Sequence, residues 1–155
     1  MPEDHDRFMG LAIEEAERGK AEGNIPVGSV IVRDGEVIGR GRNRVASDSD
    51  PTCHAEVDAL RDACRNLDSP DLSGAACYTT MEPCPMCCWA LQEARVARLV
   101  LGARHAEMRR TDYGRYSVET LLELAGRSMD IVTGVRTAEC EAVRRNWSGW
   151  VEPEA

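Results

Sequence analysis

The chain has 155 residues, of which 43% are hydrophobic and 30% are charged, a composition typical of one compact globular domain. No apolar run approaches the roughly 20 residues of a membrane span, and the acidic amino-terminal stretch lacks the basic and apolar parts of a secretory signal. We therefore expect a cytoplasmic protein with a single domain over 1–155. A formal net charge of −8 repels a phosphate backbone and disfavours a large nucleic-acid interface.

The first part of the chain predicts a helix followed by a β-hairpin. Apolar residues recur at helical spacing over 4–21, which predicts an amphipathic helix. The runs 27–33 and 36–41 are rich in strand-forming residues and flank Asp34 and Gly35, a strong signal for a tight hairpin turn. The first two strands should therefore be antiparallel. A polar loop over 43–50 is expected next.

The rest of the chain predicts alternating helices and strands. Helices between successive strands imply parallel crossovers and helices on both faces of the sheet. We therefore expect an α/β protein, a three-layer α/β/α sandwich whose five-stranded mixed sheet has its first two strands antiparallel and its later strands parallel. The predicted elements are a helix capped by Thr52, a strand over 75–81, a helix with Pro83 at its start, a strand over 96–101, a helix capped by Ser117, a strand over 129–135 and a helix opened by Thr137.

Candidate metal ligands occur at the starts of two neighbouring predicted helices. Seven cysteines, an odd number in a protein expected to be cytoplasmic, favour metal binding or catalysis over disulfides. Cys84 and Cys87 share one helical face, where the positive end of the helix favours the thiolates that bind zinc. With His54 they make three protein ligands, a number typical of catalytic zinc sites, which keep the fourth position for water.

Glu56 is expected to flank this metal without binding it. It lies two residues after His54, and such positions face different directions on a helix. A carboxylate there can take a proton from water and return it to the substrate. A lone C-x-x-C would be a weak signal, since a redox pair or half of a zinc ribbon has the same spacing. We interpret His105 as a surface histidine and the other cysteines as packing residues: Cys53, Cys64, Cys77, Cys88 and Cys140.

H-x-E followed by P-C-x-x-C is the signature of zinc deaminases, and the chain resembles the cytidine-deaminase-like superfamily. It is most similar to the branch of fungal-type cytosine deaminases, bacterial guanine deaminases and tRNA adenosine deaminases. The resemblance implies a homodimer, one catalytic zinc ion per chain and Glu56 as proton shuttle. A non-catalytic module stabilised by zinc is the alternative. The resemblance rests on the segments 25–28, 39–43, 54–56, 78–87 and 102–104.

The resemblance also assigns contacts to a small-molecule nucleobase. Asn43 would hydrogen-bond the base, Val27 would line the pocket, and the backbone carbonyl of Glu82 would receive the departing amine. A turn residue is the competing interpretation of Asn43. Glu82 itself is typical of guanine and tRNA enzymes, where cytosine deaminases typically have serine.

The predicted reaction is deamination of a free base. The first choice is cytosine, which would be converted to uracil with release of ammonia. The second choice is guanine, which would be converted to xanthine, and the third is adenosine in tRNA. The negative net charge disfavours tRNA without excluding it. The candidates to cover the base, with core or dimer packing as their alternative role, are Tyr113, Tyr116, Trp147 and Trp150.

Overall fold

The computed structural model describes residues 2–153, so Met1 and the last two residues of the predicted domain lie outside it. Its strands form one sheet in the order β2-β1-β3-β4-β5. No helix within the described residues is both long and apolar enough to cross a membrane. The elements are α1 (Pro2–Ala21), β1 (Gly28–Arg33), β2 (Glu36–Arg42), α2 (Val45–Asp48), α3 (Ala55–Leu67), β3 (Ala76–Met81), α4 (Pro85–Glu93), β4 (Arg98–Ala103), α5 (Val118–Leu124), β5 (Asp130–Val132) and α6 (Thr137–Arg145).

The predicted five-stranded mixed sheet is confirmed. β1 pairs antiparallel with β2 and with β3, whereas β3, β4 and β5 are parallel neighbours. Asp34 and Gly35 join β1 to β2 with positive φ angles of 53° and 77°, as a type I′ hairpin turn requires. Since β1 lies between β2 and β3, the crossover through α3 passes over β1 and brings the start of α3 to the end of β2.

Helices cover both faces of the sheet, which confirms the three-layer sandwich. α1 and α6 pack on one face, and α3, α4 and α5 pack on the other. Buried side chains alternate along β1, so that Ile31 belongs to the core under α3 while Val30 and Val32 belong to the core under α1. This period of two is what a strand buried on both faces produces.

Several element boundaries differ from the prediction. His54, and not Thr52, is the N-cap of α3. Cys84 is the N-cap of α4, with Pro85 and not Pro83 in its first turn, because the Cys84 sulfur accepts the hydrogen bond that a polar cap would accept. The predicted loop over 43–50 contains the short helix α2, and β5 is shorter than predicted. Ser117 caps α5 as predicted.

Glycines in β2 allow α3 to pack directly against the strand. A Cβ atom at Gly41 would overlap the backbone of Ala59 and Ala55, which cannot move aside as a flexible side chain can. We expect Gly41→Ala to lower the free energy of unfolding by about 1 to 3 kcal/mol, measured by urea denaturation. Gly19→Ala is the control, because its Cβ would lie 3.4 Å from its nearest neighbour. It should leave stability unchanged or raise it by up to about 1 kcal/mol. Equal stability of both variants would contradict this packing.

Candidate active site

The three predicted zinc ligands meet at the starts of α3 and α4. Nδ1 of His54 lies 3.4 Å from Sγ of Cys84 and 3.5 Å from Sγ of Cys87. Nitrogen and sulfur ligands bound to one zinc ion at the tetrahedral angle lie about 3.6 Å apart, given bonds of about 2.1 and 2.3 Å. All three donor atoms fall within 4.8 Å of one another. The residues therefore fit a zinc ion in both donor chemistry and spacing.

The start of α4 favours the thiolate form of Cys84. The pKa of Cys84 is lowered to about 4, mainly by a hydrogen bond from the Cys87 thiol. His54 and the Cys87 backbone N–H, which lies 3.4 Å from the Cys84 sulfur, lower it further. Thiolates are the sulfur species that bind zinc. The neighbouring Cys53 and Cys88 are buried but lie outside this cluster, in agreement with a packing role.

Glu56 lies on the wall of the cavity beside the cluster. It is almost completely buried, and Thr79 Oγ1 donates a hydrogen bond of 2.6 Å to its Oε1 atom. Burial raises the pKa of Glu56, which favours a carboxyl group able to hold a proton. Through its hydrogen bond to Oε1, Thr79 fixes the orientation of the carboxyl group of Glu56. Its place in the buried strand β3 resembles an ordinary core position, so its contact with Glu56 was not predictable from sequence.

A cavity of about 470 Å³, including its part open to solvent, connects these residues. Cys87 lies directly behind the wall, in contact with the other two ligands. The structure thus brings every predicted site residue to one place. The lining contains the predicted Val27, Asn43, His54, Glu56, Glu82 and Cys84, together with Ile25, Ala55, Met81, His105, Arg110, Tyr113 and Arg144.

Asn43 follows β2 and lines the cavity, where its side chain and its backbone both make hydrogen bonds. Its Oδ1 atom accepts a 3.1 Å hydrogen bond from the backbone of Val45, as a turn residue would. Its backbone N–H donates to the carbonyl of Val27 at 3.1 Å, which joins two walls of the cavity. Since Oδ1 already has a partner, the amide nitrogen is the group that we expect to contact a ligand.

The carboxylate of Glu82 holds the loop after β4 in place. Oε1 accepts from the His105 backbone N–H at 3.0 Å, and Oε2 accepts from the Val118 backbone N–H at 2.9 Å and from Arg104 at 3.0 Å. Although burial acts in the opposite direction, these donors hold the pKa of Glu82 below its usual value. The side chain is therefore fully engaged, which leaves the backbone carbonyl as the group able to face a ligand.

The prediction that His105 lies on the surface is wrong. The residue is 5% exposed and lines the cavity, with its ring 5.3 Å from the ring of Tyr113. Burial lowers its pKa, so the imidazole is neutral near pH 7. The charge pattern of the surrounding loop indicates a solvated segment. The sequence does not show which residue of such a loop turns inward.

Arg144 is a second cavity residue that the sequence pattern did not indicate. It is 6% exposed, and its guanidinium carbon lies 5.2 Å from the ring of Trp147 and 5.0 Å from that of Trp150. Burial lowers its pKa to about 10, so it remains a cation at neutral pH. Tryptophans three and six residues after an arginine are a pattern that can signal such stacking. Of the four aromatic residues considered as covers, Tyr113 lines the cavity containing the predicted ligands.

Comparison with known proteins identifies the type of domain. Residues 2–103 match the family model described as the cytidine and deoxycytidylate deaminase zinc-binding region. A tRNA-specific adenosine deaminase from Aquifex aeolicus is 42% identical over 96 residues, which cover 62% of this chain and 64% of that protein, just under two thirds of its length. A guanine deaminase from Bacillus subtilis is 41% identical over 104 residues, 66% of this chain and 67% of that protein.

Solved structures give the same two kinds of relative. One comes from a study of A-to-I editing by deaminases at the wobble position of transfer RNA. It matches with a TM-score of 0.77 and 34% identity, over 88% of this chain and 98% of that chain. The guanine deaminase of Nitrosomonas europaea matches with a TM-score of 0.78 and 27% identity, over 90% and 82% of the two chains. The predicted family resemblance and the predicted zinc cofactor are thereby confirmed.

Proposed function

Because the chain belongs to the family defined by the cytidine and deoxycytidylate deaminase zinc-binding region, we propose that it deaminates a nucleobase and that its substrate is free guanine. Guanine and water would give xanthine and ammonia. The observation that carries the proposal is the meeting of the His54, Cys84 and Cys87 cluster with the buried carboxyl group of Glu56 on one cavity. A bound zinc ion would act as a Lewis acid that makes water a nucleophile near neutral pH.

The side chains around the cavity divide the remaining work. Glu56 takes one proton from water and transfers it to the ring nitrogen beside the reacting carbon. It then takes the second proton from the hydroxyl group on that carbon and transfers it to the amine, which leaves as ammonia. Thr79 keeps the carboxyl group oriented through its 2.6 Å hydrogen bond. The amide nitrogen of Asn43 donates to the base, the Glu82 carbonyl accepts from the amine, and Val27 packs against the ring.

A free base is favoured over tRNA by the charges near the cavity. In the arginine-rich loop, residues 103–116, three of the four arginines contact carboxylates. Arg104 bonds to Glu82 and Glu119, Arg110 bonds to Asp112 at 3.0 Å, and Arg109 bonds to the Pro153 carbonyl at 3.1 Å and lies 3.7 Å from Glu152. A phosphate backbone would have to displace these partners, and the net charge of −8 opposes its approach.

Guanine replaces cytosine as the first choice because of the relatives. Proteins named guanine deaminase are among the similar sequences and structures. Glutamate at position 82, where cytosine deaminases typically have serine, points the same way. The second candidate is an adenosine in tRNA, which is favoured by the many relatives named tRNA-specific adenosine deaminase. Homodimer formation and a cytoplasmic location stay predictions from the resemblance and the sequence.

Ammonia release from a panel of substrates tests this assignment. We expect the zinc-loaded protein to deaminate guanine with a kcat/KM roughly a hundredfold higher than for cytosine or adenine, because a pocket with fixed donors and acceptors rejects bases that leave them unpaired. Guanosine, cytidine, adenosine and tRNA complete the panel. Inosine formation in tRNA with binding that weakens steeply with salt, and no turnover of guanine, would establish the second candidate instead.

A further inference from the structure

Two buried residues of the cavity have polar atoms without partners. Among the residues described by the structure, the buried side-chain nitrogen and oxygen atoms that lack a hydrogen bond are Nδ1 and Nε2 of His105 and Nε and Nη1 of Arg144. Buried polar groups are nearly always hydrogen-bonded in folded proteins. His105 follows β4 and Arg144 lies in α6, yet both line the cavity that His54, Cys84 and Glu56 also line. This convergence indicates that a ligand completes their hydrogen bonds.

Within residues 2–153, the groups around this pair leave most of these nitrogen atoms without a partner. The Pro83 carbonyl, which lies close to His105, also accepts a 2.7 Å hydrogen bond from the hydroxyl of Tyr116, and it could serve at most one of the two ring nitrogens of His105. The indole rings beside Arg144 stabilise its charge but carry no acceptor of the usual kind. The nearby cation of Arg110 is paired with Asp112 at 3.0 Å. The two residues therefore present a guanidinium cation whose Nε and Nη1 lack an acceptor, and one neutral imidazole.

This pair specifies the chemistry of the ligand. A guanidinium group has only donors, so the ligand must offer acceptors to Arg144, while a neutral imidazole can donate once and accept once. A phosphate dianion would call for more than one free cation. A neutral base with an oxygen acceptor fits better, and arginine is the side chain that commonly binds O6 and N7 of guanine.

The position of Arg144 agrees with the far edge of a purine. Arg144 also lines the adjoining outer cavity, which contains neither Glu56 nor the predicted zinc ligands. When C2 of guanine, which carries the amine, faces the metal, the edge with O6 and N7 points away from it. Opposite parts of the same site can therefore contact the reacting carbon and the edge with O6 and N7.

We propose that Arg144 and His105 recognise the oxygen-bearing edge of the substrate base, with Arg144 donating to its oxygen and His105 hydrogen-bonding a ring nitrogen. The identity of that base as guanine rests on the function proposed above. Adenine has no oxygen on its ring system, so this pair would select against it. The two residues are specificity determinants, and neither takes part in proton transfer.

A comparison of two substrates tests the proposal in the wild-type protein. 2-Aminopurine carries the same amine as guanine but lacks O6. We expect a kcat/KM for guanine at least about tenfold higher, since a hydrogen bond from a charged donor is lost with 2-aminopurine. Arg144→Met should reduce kcat/KM for guanine at least about tenfold and leave that for 2-aminopurine nearly unchanged. The control is Arg65→Met, at a 69% exposed arginine of α3, which should change neither value.

A binding measurement separates this proposal from the proposed function. Hypoxanthine has O6 but no amine, and its binding by calorimetry to a Glu56→Gln protein requires no turnover. We expect Arg144→Met in that background to weaken hypoxanthine binding at least about tenfold, and His105→Phe to weaken it as well. Arg144→Lys, which keeps the charge, serves if Arg144→Met unfolds on heating at a much lower temperature.

The outcomes are distinct. Weakened hypoxanthine binding supports the recognition pair even if the substrate panel shows that guanine is not deaminated, in which case only the proposed function fails. Unchanged hypoxanthine binding in folded variants overturns the recognition pair even if guanine is deaminated. If Arg144→Met weakens binding of guanosine monophosphate but not of hypoxanthine, Arg144 contacts a phosphate and the proposal is overturned.

Discussion

Replacing Glu56 by glutamine is expected to reduce ammonia release at least about a hundredfold and to leave zinc content unchanged. Glutamine has nearly the same shape as glutamate and can still accept the hydrogen bond from Thr79 that is 2.6 Å long in the wild type. It cannot hold the proton that must pass from water to the base and the amine. Rates of ammonia release and metal content per chain, measured on the same preparation, provide the test.

A matched control shows whether the effect belongs to this carboxyl group. Glu14 is exposed on α1, so Glu14→Gln makes the same chemical change away from the cavity and should keep the full rate. A Glu56→Gln protein with the wild-type rate would contradict the assigned proton transfer. A wild-type protein that binds zinc but releases no ammonia from any member of the panel would favour the non-catalytic module.

The parts of the fold that depend on residues close together in the sequence were predictable from it. The turn at Asp34 and Gly35 requires positive φ angles that these two residues tolerate, and Ser117 caps α5 because its hydroxyl accepts the backbone N–H of Thr120. The predicted zinc ligands were predictable for a similar reason. His54 begins the long helix after β2, and the two cysteines begin the helix after β3. These strands run in the same direction on either side of β1, so the segments that follow them lie at one edge of the sheet.

The recognition side of the site depends on contacts between distant segments. His105 lies in the arginine-rich loop and Arg144 in α6, and this loop meets the carboxy-terminal segment, residues 146–153, around the outer cavity that Arg144 also lines. Local periodicity carries no information about this closure. The carboxylate of Glu82 is a further case, since its role in holding the loop arises from two backbone N–H groups that no motif includes.

Zinc removal is the second large effect that we expect. Cys87→Ala leaves only His54 and Cys84 as protein ligands, so the variant should bind little zinc and lose ammonia release. A metal at a thousandfold excess over its dissociation constant stabilises the folded state by about 4 kcal/mol. Its loss should lower the melting temperature by about 10 °C, given about 2 to 4 °C per kcal/mol for a domain of this size.

A chelator distinguishes loss of the metal from simple loss of packing. EDTA should lower the melting temperature of the wild type and have no effect on Cys87→Ala, because that variant has no zinc to lose. Cys64→Ala provides the control, since Cys64 is a half-buried thiol of α3 that packs against the core and lies outside the ligand cluster. It should keep one zinc ion per chain and respond to EDTA like the wild type. One tightly bound zinc ion in Cys87→Ala would contradict the assignment of Cys87 as a ligand, because the remaining pair of donors cannot hold the metal against a chelator.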